Sequence, residues 1–353
     1  MHNKLTALTL ILFISFQSLG LSQERNVVAQ KGDGIYSLLR KNGLDPTKYV
    51  QQFIHLNKES LKTDHHLIVG KSYLLPLPEV IIEEPKSVVT DSISKKPMDS
   101  LTIGKIDYPL FGEEHRYFQQ ESTILDDAIY YLISGHGGPD PGALAKYGNT
   151  IISEDEYAYD VTLRLAQSLL ANGATVYIII KDENDGIRDR SILEVDYDEV
   201  CYLKKRIPLN QTLRLRQRTR AVNTLYIKHK GAYQRLIVTH VDSRQNANEN
   251  IDVFFYHHKS SQSGKQLATN IYESFKEKYA EHQPNREYAG SVNTRSLYLI
   301  KNTFPPMVYI ELGNIQNKKD QKRILDYNNR QALANWIFTG LVKDFELSKK
   351  LTP

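Results

Sequence analysis

The chain has 353 residues, 41% of them hydrophobic and 24% charged, and this composition is typical of a globular protein long enough for two domains. Its net charge of +4, with no dense basic block, argues against a nucleic-acid-binding function. Cys201 is the only cysteine, which excludes an intramolecular disulfide and a zinc–thiolate cluster, so that any metal ion must be held mainly by His, Asp or Glu.

The N-terminus has the pattern of a targeting segment. Lys4 precedes the apolar run "LTALTLILFISF", which is too short to span a bilayer, and Gly20 and Ser22 occupy the small-residue positions of a cleavage site. We therefore expect a signal peptide over residues 1–22 and a product exported to the periplasm, the cell wall or the extracellular space. No stable membrane insertion is expected after cleavage, although an uncleaved anchor is the alternative.

Residues 26–78 are predicted to form a small strand–helix–helix–strand unit. A Gly-Asp-Gly turn follows the first strand, and Pro76 and Pro78 end the second. The unit resembles a LysM module, a family that binds N-acetylglucosamine chains. The matching residues are Lys31-Gly32-Asp33, Ile35, Leu38, Asn57, and Val69-Gly70-Lys71 before Leu75-Pro76. The resemblance implies binding to peptidoglycan glycan strands, whereas Gly34 departs from the Thr or Ser common there. A small docking domain without a ligand is the alternative.

Residues 79–104 lack helical or strand periodicity and are rich in Glu, Lys, Ser, Thr and Pro, which predicts a linker. From residue 105 onward, short apolar runs typical of buried strands alternate with helical patterns. These runs are "AIYYLI", "TVYIII", "RLIVT", "DVFFY" and "MVYIE". The pattern predicts an α/β domain over residues 105–348, with a central, mostly parallel or mixed sheet flanked by helices.

Three polar side chains follow or end predicted strands. His136 comes after the first run, His240 after "LIVT", and Glu311 ends "MVYI". Ligands of open α/β sheets collect beyond the carboxyl ends of the strands, so two histidines and an acid there suggest a metal site. A catalytic zinc ion takes three protein ligands and leaves one position open, and two histidines with a glutamate form a known set.

The acidic segment "SEDEYAYDVTLRL" offers the third ligand. Helical phase places Glu154 on the face of Tyr157 and Val161, which is expected to pack inward. Glu156 lies on the opposite, Asp160-containing face, which is expected to be solvated. Glu156 also stands three residues after Ser153, which predicts a capping box and gives Glu156 a local role. Glu154 is therefore the expected ligand.

In order, "SGHGGPDPGA", the helix start at Glu154, "LIVTHVDS" and "MVYIELGNIQN" resemble the motifs of the zinc-dependent N-acetylmuramoyl-L-alanine amidases of type 3. The resemblance spans about residues 128–345. It implies that His136, Glu154 and His240 bind one Zn²⁺ and that Glu311 is the catalytic glutamate. The bond cut would join the lactyl group of N-acetylmuramic acid to L-alanine of the stem peptide. By the same resemblance, Arg218–Asn223 is read as structural.

The alternatives to this function are an inactive wall-binding or regulatory protein and a zinc peptidase cutting within the stem peptide.

Two features of the sequence depart from the simplest family members. Asp242 replaces the usual Asn after the second histidine, and residues 182–213 form a charged insertion. We expect this insertion to be too charged for a core, and to be either a lid over the site or a surface loop. Asp140, between two prolines, is expected to shape the turn rather than to bind metal.

Overall fold

The structure is a computed structural model that describes residues 26–30, 35–42, 44, 46–58, 60–61, 67–76, 104–242 and 252–351. The chain divides into two compact units, Met1–Pro97 and Met98–Pro353. The predicted signal peptide, the Lys31-Gly32-Asp33 turn with Gly34, and nearly all of the predicted linker lie outside the described residues.

The N-terminal unit has the predicted order of elements. Its elements are β1 (Asn26–Val28), α1 (Ile35–Lys41), α2 (Pro46–Leu56) and β2 (Ser72–Leu74). The two strands pair antiparallel, and Leu38, Phe53 and Tyr73 are buried together between strands and helices. Asn57, just after α2, donates to the Leu74 carbonyl and accepts from the Leu74 amide, both at 2.8 Å. These bonds fix the end of α2 to β2. The assignment to the LysM family stays a prediction.

The C-terminal unit alternates strands and helices. Its strands are β3 (Lys105–Asp107), β4 (Tyr117–Gln119), β5 (Ala128–Ser134), β6 (Leu144–Tyr147), β7 (Thr150–Ser153), β8 (Thr175–Ile178), β9 (Ile180–Lys181), β10 (Val200–Cys201), β11 (Lys205–Arg206), β12 (Tyr233–Asp242), β13 (Phe254–His257), β14 (Ser291–Thr294) and β15 (Met307–Asn314). Its helices are α3 (Glu154–Ala171), α4 (Gln211–Lys228), α5 (Gln262–His282), α6 (Tyr298–Asn302), α7 (Lys318–Leu325) and α8 (Tyr327–Leu351), with a short 3₁₀ turn at Pro109–Phe111. Across the described part of the chain, no helix is both long and apolar enough to cross a membrane.

Six strands form the central sheet, in the order β14-β13-β15-β12-β5-β8. All neighbours are parallel except β13 and β15, which pair antiparallel. The prediction of a mixed, mostly parallel sheet flanked by helices is confirmed. Strand β12 contains His240, β15 contains Glu311, and β5 ends two residues before His136. The sheet therefore brings these three residues together at the carboxyl ends of its middle strands.

Alternating side chains of the middle strands enter two separate cores. Tyr130 and Leu132 of β5 pack with residues of α3, α5 and α8, whereas Tyr131 and Ile133 pack with residues of α4 and α6. Both faces are therefore covered, which explains why the strands read as continuous apolar runs rather than as an alternating pattern.

The insertion at residues 182–213 is part of the folded domain. Its strands β10 and β11 extend a three-stranded antiparallel sheet from β9. Ile187 and Leu193 belong to one core of the unit, and Cys201 and Ile207 to the other. The expectation that this insertion is too charged for a core was wrong, because its apolar residues are spaced so that they reach both cores.

Candidate metal centre

Glu154 is held at the start of α3 by backbone amides from two other elements. Its Oε2 atom accepts a hydrogen bond from the amide of Ala143 at 3.0 Å, and its Oε1 atom accepts one from the amide of Val241 at 3.1 Å. The side chain is buried. These bonds fix the carboxylate between the loop after β5 and the end of β12.

His136 lies in a tight loop whose backbone is unusual. His136 itself has a φ of +60°, and Gly137, Gly138 and Gly142 also have positive φ angles. A non-glycine residue in this region carries strain, which the surrounding structure must hold. Arg218, on α4, donates a hydrogen bond to the His136 carbonyl and is itself buried. The reading of Arg218 as structural agrees with this contact.

The three predicted ligands lie together. His136 Nε2 is 3.2 Å from Glu154 Oε2, and His240 Nδ1 is 2.7 Å from Glu154 Oε1. One potential ligand atom from each residue lies within 4.8 Å of the others. The two imidazole rings meet edge to face, with centroids 5.0 Å apart. Two imidazole nitrogens and a carboxylate form a donor set that suits zinc, so these residues fit the ion that the sequence resemblance implies.

The electrostatics of the cluster follow from burial and from these contacts. Burial lowers the pKa of His136, but hydrogen bonds with Asp140 and Glu154 outweigh it and raise that pKa to about 10. Burial raises the pKa of Glu154, but both histidines hold it well below its usual range. Burial lowers the pKa of His240. The Glu154 carboxylate is thus held ionised, as a metal ligand must be.

Asp140 fixes the orientation of His136. Its Oδ2 atom lies 3.0 Å from His136 Nδ1 and 2.6 Å from Arg214 Nη2. The hydrogen bond with His136 is the main reason why the pKa of Asp140 is lowered to about 2. The contact leaves His136 Nε2 directed at Glu154, as carboxylate partners do for metal-binding histidines. The predicted turn role is also present, since the Gly142 amide lies 3.4 Å from Asp140 Oδ1. The contact with His136 was not predicted from the sequence. An acid four residues after a histidine in a tight loop could have indicated it.

Glu311 lies beside His240 in the sheet. The two residues are partners in the parallel register of β12 and β15. The Tyr309 ring stacks on the His240 ring with centroids 4.5 Å apart, so Tyr309 is on the His240 face of the sheet. Glu311, two residues further along the strand, shares that face. The His136 and His240 side chains line a cleft of about 200 Å³ with Arg214, Arg218 and Tyr309.

Two predictions about α3 were wrong. Ser153 precedes the helix as its N-cap, but its side chain makes no capping hydrogen bond. Glu156 is only 2% exposed and pairs instead with Arg188 at 2.8 Å. Asp160 is also buried, so the face expected to be solvated is covered. The covering charges come from the insertion and from α8, which the local pattern of α3 does not reveal.

The insertion contacts the loop that holds His136. Glu199 Oε2 accepts a hydrogen bond from the Gly138 amide at 2.6 Å. The prediction that this segment lies near the site is therefore confirmed for Glu199, although a lid function stays a prediction.

A family model described as N-acetylmuramoyl-L-alanine amidase matches residues 131–343. No curated protein matches the chain. Among solved structures, the CwlD amidase from Clostridioides difficile in complex with the GerS lipoprotein is 24% identical, with a TM-score of 0.46, and the match covers 62% of this chain and 98% of that one.

Two other structures give similar values. The catalytic domain of the amidase CwlV from Bacillus (Paenibacillus) polymyxa is 18% identical (TM-score 0.45, 62% of this chain and 98% of that one). The amidase AmiC2 of Nostoc punctiforme is 16% identical (TM-score 0.44, 63% and 99%). Because the family model covers more than half of its residues, the chain belongs to the type 3 family of N-acetylmuramoyl-L-alanine amidases, enzymes that act on peptidoglycan.

Proposed function

We propose that the chain is an exported, zinc-dependent amidase that cleaves the bond between the lactyl group of N-acetylmuramic acid and L-alanine of the stem peptide. The observation that carries this proposal is the Glu154 carboxylate held between His136 and His240 at 3.2 and 2.7 Å, in a chain of this family.

His136, Glu154 and His240 would hold one Zn²⁺. When bound, this ion lowers the pKa of a water molecule and polarises the scissile carbonyl. Asp140 keeps the His136 ring turned towards Glu154, and Arg218 holds the backbone at His136. The ligands are therefore positioned before substrate arrives, which favours catalysis because little reorganisation is then needed.

Glu311 would serve as general base and then as general acid. As the water oxygen bonds to the carbonyl carbon, the Glu311 carboxylate takes a water proton. When the carbon–nitrogen bond breaks, that proton passes to the departing L-alanine nitrogen. The products are the lactyl carboxylic acid and a stem peptide with a free amino group, so atoms and charge balance. The position of Glu311 beside His240 in the sheet supports this role.

The N-terminal segments would bring the enzyme to its substrate. The apolar run after Lys4 supports export through a signal peptide. The strand–helix–helix–strand order of residues 26–78 supports a LysM-like unit that binds glycan strands of peptidoglycan.

Digestion of purified peptidoglycan followed by mass analysis tests the proposal. The wild-type protein should release intact stem peptides and leave glycans with the free lactyl group. Glu311→Gln at equal zinc content should lower kcat by about 10²- to 10⁴-fold, because a positioned general acid or base contributes about that much. Glu183→Gln is the matched control, since Glu183 is an exposed partner of Lys204.

Fragments cut within the stem peptide would instead identify a zinc peptidase. Absence of any release by zinc-loaded wild type would indicate an inactive wall-binding or regulatory protein. Equal rates for wild type and Glu311→Gln would contradict the role given to Glu311.

A further inference from the structure

A second group of carboxylates lies beside the candidate zinc centre. Asp155, Glu156 and Glu199 place ligand oxygens within 4.8 Å of one another, and so do Asp182, Asp196 and Glu199. Glu199 is common to both sets, so the five side chains form one group, called here the acidic cluster. It joins the first turn of α3 to the insertion at residues 182–213.

The positive charge in contact with the acidic cluster is small. Arg188 Nη1 lies 2.8 Å from Glu156 Oε2, and the same atom also pairs with Asp185, which is outside the cluster. Arg188 therefore shares its single charge between two partners. One guanidinium does not balance five carboxylates in a largely buried environment, where an uncompensated charge is costly.

Two carboxylates of the acidic cluster, Asp155 and Asp196, each have one buried oxygen without a hydrogen-bond partner. Asp155 is 1% exposed; its Oδ1 atom accepts a bond from the Glu156 amide, and its Oδ2 atom accepts none. The neighbouring Ser153 hydroxyl is likewise buried without a hydrogen-bond partner. A buried carboxylate oxygen of this kind needs a partner, and its neighbours in the cluster are acceptors.

The other side of the acidic cluster shows the same excess of negative charge. Burial raises the pKa of Asp182 to about 7, against hydrogen bonds from the Asp185 and Asn184 amides. Burial also raises the pKa of Glu199 to about 7, and the charge of Glu156 adds to this rise. A cation among these oxygens would stabilise their ionised forms.

We propose that the acidic cluster, centred on Glu199, binds a calcium ion. Oxygen ligands alone, most of them carboxylates, suit a hard cation rather than zinc, which favours nitrogen and sulfur. Calcium accepts six to eight oxygens in irregular geometry, whereas magnesium demands a near-ideal octahedron and dehydrates reluctantly. Carboxylates from a helix start and from an irregular segment match the calcium requirement better.

The calcium ion would stabilise the two segments that carry the candidate zinc ligands His136 and Glu154. Glu199 holds the Gly138 amide at 2.6 Å, in the loop of His136, and Asp155 follows Glu154 in the chain. An ion bound to both carboxylates would tie this loop to the start of α3. This calcium site goes beyond the proposed amidase function and does not depend on it.

Terbium and calcium binding to the zinc-loaded, calcium-free full chain tests the proposal. The Tyr159 hydroxyl is hydrogen-bonded to the Asp182 backbone, so tyrosine excitation should sensitise terbium held in the acidic cluster. Calcium should displace the terbium and raise Tm by several degrees at saturation, because a ligand that binds the folded state stabilises it. Extracellular calcium modules have Kd values of about 10⁻⁴–10⁻³ M, and a value in or below this range is expected.

Glu199→Gln and Asp182→Asn are the test variants, and Glu183→Gln is the control on the same segment. The Gln and Asn side chains keep an oxygen that can accept from the Gly138 and Asn184 amides, but each variant removes one negative charge. We expect each test variant to weaken calcium binding at least tenfold, with zinc content unchanged, and the control to bind like wild type. If wild type gives no terbium signal that calcium displaces, or if all three variants bind calcium equally, the proposal is wrong.

Discussion

Gly142 and Gly148 provide a matched pair for testing how closely the loop is fitted around the candidate metal ligands. Both have positive φ angles, +69° and +60°. A Cβ atom at Gly142 would lie 2.7 Å from Glu154 Oε2 and from the His136 ring, whereas one at Gly148 would meet nothing within 4 Å. The two positions therefore share backbone strain and differ in the space available.

We predict that Gly142→Ala weakens zinc binding by at least tenfold, because the methyl group must displace two ligands. Gly148→Ala should bind zinc like wild type. Both variants should lose about 1–2 kcal/mol of stability from the left-handed backbone alone. Zinc affinity by competition with a chromogenic chelator, together with denaturant unfolding, separates the two effects. Equal zinc affinity in both variants would show that the loop yields easily.

Local patterns predicted part of the site and long-range contacts supplied the rest. The positions of His136, His240 and Glu311 at strand ends selected them as candidates, and helical phase selected Glu154. Glu199 could not be predicted to contact Gly138, because 61 residues separate them. The prediction that Glu156 lies on a solvated face was wrong for the same reason, because its partner Arg188 lies 32 residues further along the chain. Helical phase gives the direction of a side chain but not what another segment places there.

At the scale of elements, α3 is joined to α8 through a buried charge pair. Asp160 and Arg330 are both fully buried, with Arg330 Nε 2.6 Å from Asp160 Oδ2. The same oxygen lies 2.7 Å from Arg164 Nε, and the other accepts from the Arg188 amide at 2.8 Å. One carboxylate thus links two helices and the insertion.

Asp160→Asn should destabilise the protein by about 3–5 kcal/mol, because it leaves the buried Arg330 charge without its partner. Denaturant unfolding followed by circular dichroism measures this loss. Asp107→Asn, which removes an exposed ion pair with Arg116, is the control and should change stability little. A similar small effect for both would mean that solvent reaches Arg330.

The insertion itself contributes to the core, which makes its deletion a poor test of a lid. Leu193 is 0% exposed in one core of the unit, and Leu203, on the same segment, is 66% exposed. Leu193→Ala should cost about 2–5 kcal/mol, the usual range for a buried leucine, and Leu203→Ala should cost little. Thermal unfolding of both variants checks this difference. A stable Leu193→Ala protein would indicate that the segment can detach from the core.

At the scale of the whole molecule, composition and periodicity predicted five of the six strands of the central sheet. The five apolar runs of the sequence correspond to β5, β8 with β9, β12, β13 and β15. The edge strand β14 and the short β3–β4 and β6–β7 pairs were not predicted. Of these strands, β3, β4 and β14 have no fully buried residue, β6 has one and β7 has two, so their sequences lack the continuous apolar run that identifies a core strand.

The two compact units allow tethering and catalysis to be separated experimentally. A chain restricted to Met98–Pro353 keeps both large cores and every candidate site residue. If the N-terminal unit holds the enzyme on glycan strands, binding of one unit raises the local concentration of substrate for the other. The shortened chain should then cleave a soluble muropeptide at the wild-type rate but insoluble peptidoglycan at least about tenfold more slowly at low enzyme concentration. Adding enzyme should close the gap, since saturation removes the advantage of tethering. Equal rates on both substrates at every concentration would show that the N-terminal unit does not recruit the enzyme to the wall.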